Sequence, residues 1–357
     1  MTKKRVWVLG AGQLGSMLQT AGRPLDLDVH TVAIDAVQAP ELHADDIVTA
    51  EREQWPESVA TNVLAHHPLF INSTVFGRLA DRKTQKALID ELGLATAPWA
   101  HVVQSTTANE LHHKFGERVL LKRRTGGYDG KGQYWLRKSE GKEIPDDWHE
   151  HAIAEQAINF NEEVSLVGAR NAAGECVFYP LTLNLHLGGI LLGSVAPLPR
   201  LAHLQVMAET MLATLLTHLN YVGVMAMECF RVDERLMINE LAPRVHNSGH
   251  WTQAGANIDQ FELHLRAITD LPLGKFTVKG QSVMVNLVGV ARNDQWLAVP
   301  GVELVWYGKE VREGRKVGHI NITHPDTREI RSSLLLLRPL LPEHYGAVID
   351  WLIAELP

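Results

Sequence analysis

Residues 221–250, YVGVMAMECFRVDERLMINELAPRVHNSGH, leave the chain little freedom in local structure. Two largely apolar runs, 223–232 and 236–241, flank Asp233, Glu234 and Arg235, and the segment reads as an antiparallel hairpin. With a three-residue loop, Val232 pairs with Leu236 and Glu228 faces Glu240. Directly opposed residues of such a pair have Cβ atoms roughly 4.5–5.5 Å apart. The rest of Glu228's face is Val224, Ala226, Phe230 and Val232, and Glu240 alternates with Leu236 and Ile238. Two carboxylates on an apolar face repel each other and resist burial. A shared hard divalent cation removes both difficulties, and magnesium would bring nucleotide phosphates with it. The alternative is a solvated hairpin with both glutamates in water. The following RVHNSGH favours the cation, because it crowds Arg244, His246, Asn247 and His250 beside the carboxylates.

A chain of 357 residues, 45% hydrophobic and 21% charged, has the composition of a globular protein of two or three domains. Its formal net charge of -7 argues against a nucleic-acid-coating surface. Two cysteines, Cys176 and Cys229, give no disulfide framework and read as free thiols in a reducing compartment. No stretch is long enough to span a membrane, since the leucine-rich run near Leu334 is broken by Arg338 and Pro339. A cytoplasmic protein without a membrane or nucleic-acid partner is expected. The 18 histidines fall mostly in polar surroundings and show no zinc-ligand spacing.

The chain opens with a buried strand (RVWVL, 5–9), then Gly10, Gly12 and Gly15 in G-A-G-Q-L-G, then a helix. A second strand (VHTVAI) ends near Asp35, and together these form the dinucleotide fingerprint, which by itself predicts a nicotinamide dehydrogenase. The glycines equally permit a tight strand-to-helix turn with any ligand. Strands at 47–49 and 69–71 with a helix near 56–66 extend this to an open parallel sheet over residues 1–85.

A helix over 81–92 stops at Gly93, and the pattern then changes. Strands at 119–122, 133–137, 153–156 and 162–169 lack regular intervening helices, which predicts an antiparallel sheet in an α+β unit. Between the first two lies K-R-R-T-G-G-Y-D-G-K-G-Q, a glycine-rich loop among cations, suited to cradle a triphosphate as a mobile lid. The alternative is a glycine-rich hairpin tip with solvated lysines. Helices over 201–219 and 258–268 frame the carboxylate hairpin. Beyond residue 276 come strands at 282–288 and 302–307 and a closing helix over 345–356. That region carries G-K-E-V-R-E-G-R-K-V-G-H, read either as a ligand-phosphate site or as a solvated charged turn.

These parts in this order resemble the ATP-grasp superfamily, and within it the family of 5-(carboxyamino)imidazole ribonucleotide synthases of purine biosynthesis. The motifs are G-A-G-Q-L-G (10–15), R-R-T-G-G-Y-D-G-K-G-Q (123–133), E-C-F (228–230), N-E-L-A-P-R-V-H-N-S-G-H-W-T (239–252) and G-R-K-V-G-H (314–319), spread over the whole chain. The resemblance implies an α/β and α+β fold. Its parts are a Rossmann-like pre-grasp domain (1–85), an ATP-grasp domain (86–275) with a lid (about 110–180), and a small C-terminal domain (276–357). It also implies an ATP- and bicarbonate-dependent carboxylation of the exocyclic amine of 5-aminoimidazole ribonucleotide through carboxyphosphate, in a homodimer. The first domain then binds no dinucleotide, and its glycine turn helps cradle the ribonucleotide. Other ATP-grasp ligases, formate-using or biotin-carboxylating, would share the magnesium hairpin but not Y-D-G in the lid or G-R-K-V-G-H near the C-terminus.

Residue by residue, the resemblance assigns magnesium to Glu228 and Glu240, with Asn239 beside them. ATP phosphates fall to Arg82, Lys122 and the loop of Gly126, Gly127, Tyr128, Asp129, Gly130, Lys131 and Gly132. Glu155, Gln156, Ala157 and Ile158 would line the adenine pocket, Glu163 would bind ribose, and His186 would contact the nucleotide. Tyr128 and Asp129 would reach the aminoimidazole, with Asp129 taking the amine proton. Arg244, His246 and Asn247, aided by Lys309, would position bicarbonate or carboxyphosphate. Arg315 and Lys316 would hold the 5′-phosphate with the Gln13–Leu14 turn. Lys131 stands where the family pattern has arginine, which keeps the charge but loses bidentate geometry.

Overall fold

The computed structural model describes residues 3–127 and 130–357. Three strands, β1 (Arg5–Leu9), β2 (Asp28–Val32) and β3 (Ile47–Ala50), form a parallel sheet in the order β2-β1-β3. Val6, Val8 and Leu9 are fully buried, as the apolar opening run requires. The strand expected at 69–71 is reduced to one parallel bridge between Phe70 and Val48. Asn72, in the left-handed region at φ 61°, turns the chain there into an unforeseen helix, Ser73–Ala80.

A second sheet is antiparallel, with order β4-β7-β5-β6, from β4 (Trp99–His101), β5 (Arg118–Arg123), β6 (Gln133–Arg137) and β7 (Ala152–Gln156). It has its own core, in which Leu111, Phe115, Val119, Leu121 and Leu136 pack together. The glycine-rich loop joins β5 to β6, as the sequence predicts. Residues 162–169, expected in this sheet, lie elsewhere. They fall within β8 (Glu162–Arg170), which belongs to a nine-stranded sheet.

That sheet also contains β9 (Cys176–Phe178), β10 (Thr182–Leu187), β11 (Ile190–Ala196), β12 (Gly223–Val232), β13 (Arg235–Ala242), β14 (Gln281–Val288), β15 (Val302–Trp306) and β16 (Lys316–His324). Its order is β13-β12-β8-β10-β11-β14-β16-β15, with β9 on β8. The C-terminal strands therefore continue the sheet that carries the carboxylate hairpin, through the β11–β14 ladder. Helices cover both faces. The helix Gln205–His218, rich in strong helix formers, buries Ala208, Met211, Leu212 and Leu215 at three- to four-residue spacing against one face. The helix Gln260–Ile268 packs on the other face, its start fixed by the Asp259 carboxylate accepting from the Phe261 and Glu262 N–H groups. Cys176 and Cys229 are both free thiols. Among the described residues no helix is long and apolar enough to cross a membrane.

Candidate active site

Glu228 and Glu240 do pair across β12 and β13, but through a turn and a bulge that the sequence reading lacks. The turn has two residues, not three: Val232 pairs with Arg235, and Asp233 takes a φ of 54°. Cys229 then pairs with Ile238 and Glu228 with Glu240, which leaves Asn239 as the extra residue of a β-bulge. The one-residue slip at the turn and the one-residue bulge cancel at the carboxylates. The bulge also reverses side-chain parity. Leu236, Ile238 and Leu241 face one core, while Ala242, two residues from Glu240, faces the other. Leu236 and Ile238 are thus not on Glu240's face, contrary to the alternation expected.

Burial raises the Glu228 carboxyl; the His186 charge opposes this and Glu240 adds to it. His246 Nε2 lies 3.6 Å from Glu228 Oε1. Burial, with Arg244, holds the His246 imidazole well below its ordinary range and therefore neutral. Its Nδ1 accepts from the Ser248 N–H at 3.3 Å, with Ser248 Oγ at 2.9 Å, so the ring proton sits on Nε2, facing the carboxylate. His186 Nδ1 lies 3.0 Å from Glu163 Oε2. Burial lowers the His186 pKa, but Glu163 and Glu228 outweigh it and raise the net value.

Arg82, at the start of helix Arg82–Glu91, reaches Glu240 Oε2 at 3.2 Å and the Gly127 carbonyl at 3.1 Å, joining the lid loop to the carboxylate pair. Gly126, Gly130 and Gly132 all have φ of 70–75°, a region costly for other residues. Gly130 also comes so close to the Gly188 carbonyl, in the β10–β11 turn, that a Cβ there would clash. Lys131 is exposed. Tyr128 and Asp129, assigned above to the aminoimidazole, lie outside the described residues.

Lys122 Nζ sits 2.7 Å from Glu155 Oε2 and 3.0 Å from Asn239 Oδ1. Glu155 is therefore occupied by lysine, and its second oxygen lies 3.0 Å from Lys86 Nζ. Burial would raise this carboxyl, yet Lys122 and Lys86 hold it down at about 2. Gln156 pairs with Val119 at the end of β7 and is exposed; Ala157 and Ile158 follow, both half-buried.

Arg244 Nη2 pairs with Glu53 Oε1 at 2.9 Å, a carboxylate just past β3 that the sequence reading passed over. Burial raises the Glu53 carboxyl, and Arg244 opposes the rise. Asn247 exchanges amide hydrogen bonds with Asn286 of β14 and is buried, which leaves one amide N–H and one oxygen lone pair outside that pair. Lys309 Nζ donates to Gln13 Oε1, which places it at the glycine turn. Burial lowers the Lys309 pKa, and the Arg315 charge adds to this. Leu14 packs against a core cluster.

The glycine turn itself corrects the dehydrogenase reading. Glu51, 7% exposed, accepts from the Gly12 N–H at 2.5 Å and the Gly15 N–H at 2.6 Å. Its carboxylate fills the position at the helix start that a dinucleotide pyrophosphate would need. The helix Gln13–Gly22 has no side-chain cap of its own at Gly12, and Glu51 supplies one.

Hard oxygen donors suit magnesium, and the chain offers them in Glu228 and Glu240, whose mutual repulsion adds to the raised Glu228 pKa, with the Asn239 amide oxygen nearby. Neutral His246 and the cations Arg82, Lys122 and Arg244 surround them, a setting suited to transfer of a phosphoryl group.

Known proteins resemble this chain in sequence and in fold. The chain matches the ATP-grasp domain over residues 87–261 and the phosphoribosylaminoimidazole carboxylase C-terminal domain over residues 282–333. It is 53% identical over 348 residues to the N5-carboxyaminoimidazole ribonucleotide synthase of Escherichia coli K12, covering 98% of each chain. It is similar to the crystal structure of the N5-carboxyaminoimidazole ribonucleotide synthetase of Thermus thermophilus, with a TM-score of 0.81 and 36% identity over 94% of this chain and 98% of that one. The Aspergillus clavatus carboxyaminoimidazole ribonucleotide synthase, solved as a complex with ATP, gives a TM-score of 0.81 at 26% identity over 98% of each chain. The chain belongs to the N5-carboxyaminoimidazole ribonucleotide synthase family and has the ATP-grasp fold.

Proposed function

We propose that this chain is an ATP-dependent carbon–nitrogen ligase that carboxylates the exocyclic amine of 5-aminoimidazole ribonucleotide with bicarbonate, forming ADP and phosphate. The observation that carries the reading is Arg82, which reaches Glu240 Oε2 at 3.2 Å and the Gly127 carbonyl at 3.1 Å and so ties the carboxylate pair to the glycine loop. The cationic segment of Lys309, Arg315 and Lys316 is read as a second, anion-binding half, supported by the bond from Lys309 to Gln13 of the glycine turn.

In this reading Glu228 and Glu240 hold magnesium beside Asn239, and the bound ion supplies charge neutralisation at the phosphates. Arg82, Lys122 and the glycine loop orient the triphosphate, with Glu163 and His186 at the ribose side. Arg244, fixed by Glu53, and the Nε2–H of neutral His246 orient bicarbonate so that one of its oxygens attacks the γ-phosphorus as ADP leaves. Carboxyphosphate then divides into carbon dioxide and phosphate. The amine nitrogen bonds to the carbon, and its proton passes to Asp129. Closure of the lid loop keeps water from the labile carboxyphosphate. Gln13, Lys309, Arg315 and Lys316 take the 5′-phosphate. Lys309 is therefore assigned to the ribonucleotide rather than to bicarbonate, on the ground of its hydrogen bond to Gln13. The active assembly is proposed to be a homodimer in the cytoplasm.

The test is phosphate release from ATP with bicarbonate, with and without aminoimidazole ribonucleotide. Turnover is expected to require both co-substrates and magnesium. If adding the ribonucleotide leaves the rate unchanged, the acceptor assignment fails.

A further inference from the structure

Lys86 carries no role in the site described so far. It lies on the helix Arg82–Glu91 with 2% of its surface exposed. Its Nζ lies 3.0 Å from Glu155 Oε1, 2.5 Å from Thr96 Oγ1 and 3.5 Å from the Ile238 carbonyl. The other Glu155 oxygen holds Lys122 at 2.7 Å. Lys86, Lys122 and Glu155 are each less than a tenth exposed, at 2%, 6% and 3%. Two buried lysines therefore share one buried carboxylate; with all three ionised the trio carries a net positive charge, and Glu240 is the next carboxylate to act on Lys86.

An uncompensated buried charge is costly, and a fold keeps it where an anion completes the set. Lys122 donates to Asn239 Oδ1 at 3.0 Å, and Asn239 is the chain neighbour of Glu240. If Lys86 were absent, Glu155 would form a closed pair with Lys122 and cancel its charge. With Lys86 in place, the carboxylate is divided between two cations and Lys122 retains attraction for phosphate.

We propose that Lys86 is a positioning residue for the nucleotide, acting through Glu155 to keep Lys122 available to a phosphate oxygen. The proposal rests on Lys122 as a nucleotide ligand, and the experiment separates the two. MgADP binding to the full chain is measured by calorimetry for Lys86→Met, Lys122→Met, Glu155→Gln and the double variant Lys86→Met/Glu155→Gln. Loss of one charge-assisted contact corresponds to roughly tenfold weaker binding, so Lys86→Met is expected to bind MgADP about tenfold more weakly. The KM for ATP should rise by a similar factor, with the KM for aminoimidazole ribonucleotide unmoved.

The double variant removes the competing carboxylate together with Lys86 and restores the single positive charge. It is therefore expected to recover affinity, which a merely structural lysine would not allow. Lys86→Arg, which keeps the charge, is expected to bind like the parent. If Lys122→Met loses affinity while Lys86→Met does not, or if the double variant binds no better than Lys86→Met, the role of Lys86 is overturned and that of Lys122 stands. If Lys122→Met binds normally, both fall. A tenfold loss in Lys86→Arg with an unchanged melting temperature also overturns the proposal, whether or not Lys86→Met folds.

Discussion

Glu51 offers the sharpest test of how the first domain is built. Its two carboxylate oxygens accept from the Gly12 and Gly15 N–H groups at 2.5 and 2.6 Å, across 39 and 36 residues of chain. Glu51→Ala leaves both donors without their acceptor at the start of helix Gln13–Gly22. Gly15 is buried, so its N–H bears the full penalty of about 1–3 kcal/mol for an unsatisfied buried donor. Gly12 is half-buried, and water recovers part of its loss. Removing an anion from the helix start costs about 0.3–1 kcal/mol more. The sum is about 2–4 kcal/mol. At about 2.1 cal/mol/K per residue, 357 residues give an unfolding entropy near 0.75 kcal/mol/K, so the melting temperature should fall by roughly 3–5 °C if the chain unfolds as a unit. Thermal melts followed by circular dichroism read this directly. Inorganic phosphate should restore part of the loss in Glu51→Ala by occupying the vacated turn, and should do less for the parent. NADH should stabilise neither the parent nor Glu51→Gln. A Glu51→Ala protein melting within about 1 °C of the parent, or a parent stabilised equally by phosphate, would refute the reasoning.

Three further outcomes follow from the site. Glu240→Gln should abolish magnesium-dependent phosphate release while the melting temperature stays near that of the parent; retained turnover would remove Glu240 from metal binding. Glu53→Gln frees Arg244 from a charge-assisted contact worth about 1.5–3 kcal/mol, so the KM for bicarbonate should rise about tenfold or more with nucleotide affinity unmoved; an unchanged bicarbonate KM would sink that role. Glu155, held at about 2 when folded, has the sign of a depressed carboxyl. Its contribution is present in full above its unfolded value of about 4.3 and is lost as pH falls toward 2. Urea titrations should show a shallower acid limb for Glu155→Gln than for the parent, and parallel limbs would contradict the pairing.

Much of the fold could be read from local pattern, and several of the failures at the site share one cause. The parallel opening, the antiparallel lid and the carboxylate hairpin follow from alternation and turn residues close in sequence. The β10–β11 hairpin carried a comparable signal, a Gly188–Gly189 turn at φ of 59° and 81° between apolar runs, and passed unread. What misled was distance along the chain. G-A-G-Q-L-G promises a pyrophosphate until Glu51 is known to fill its N–H groups. Lys86 looks like an ordinary helix lysine until Glu155, on another element, is placed against it. Register was recovered at Glu228 and Glu240 only because two local errors cancelled, and alternation alone had no means of detecting the Asn239 bulge.

The continuous sheet has a mechanical consequence. Between β12, with Glu228, and β16, with Lys316, lie five strand-to-strand steps. At about 4.8 Å each, a flat sheet would hold those two strands roughly 24 Å apart. A sheet of this many strands also twists, so the ladder and its twist together set how far apart those strands lie. A hydrogen-bonded ladder then acts as a ruler between the Glu228–Glu240 hairpin and the C-terminal strands, and changing that gauge means breaking strand pairs. The lid stands on a separate four-stranded sheet, tied to β13 through the Thr96–Ile238 bridge and the Ile238 N–H to Ala95 carbonyl bond at 2.7 Å. It is held further by Lys122 on Asn239, Arg124 on Asp81 and Trp99 on Asp90. Apart from the tie to β13 the two sheets share no strand pair among the described residues, so the spacing along the ladder is set by its own strands.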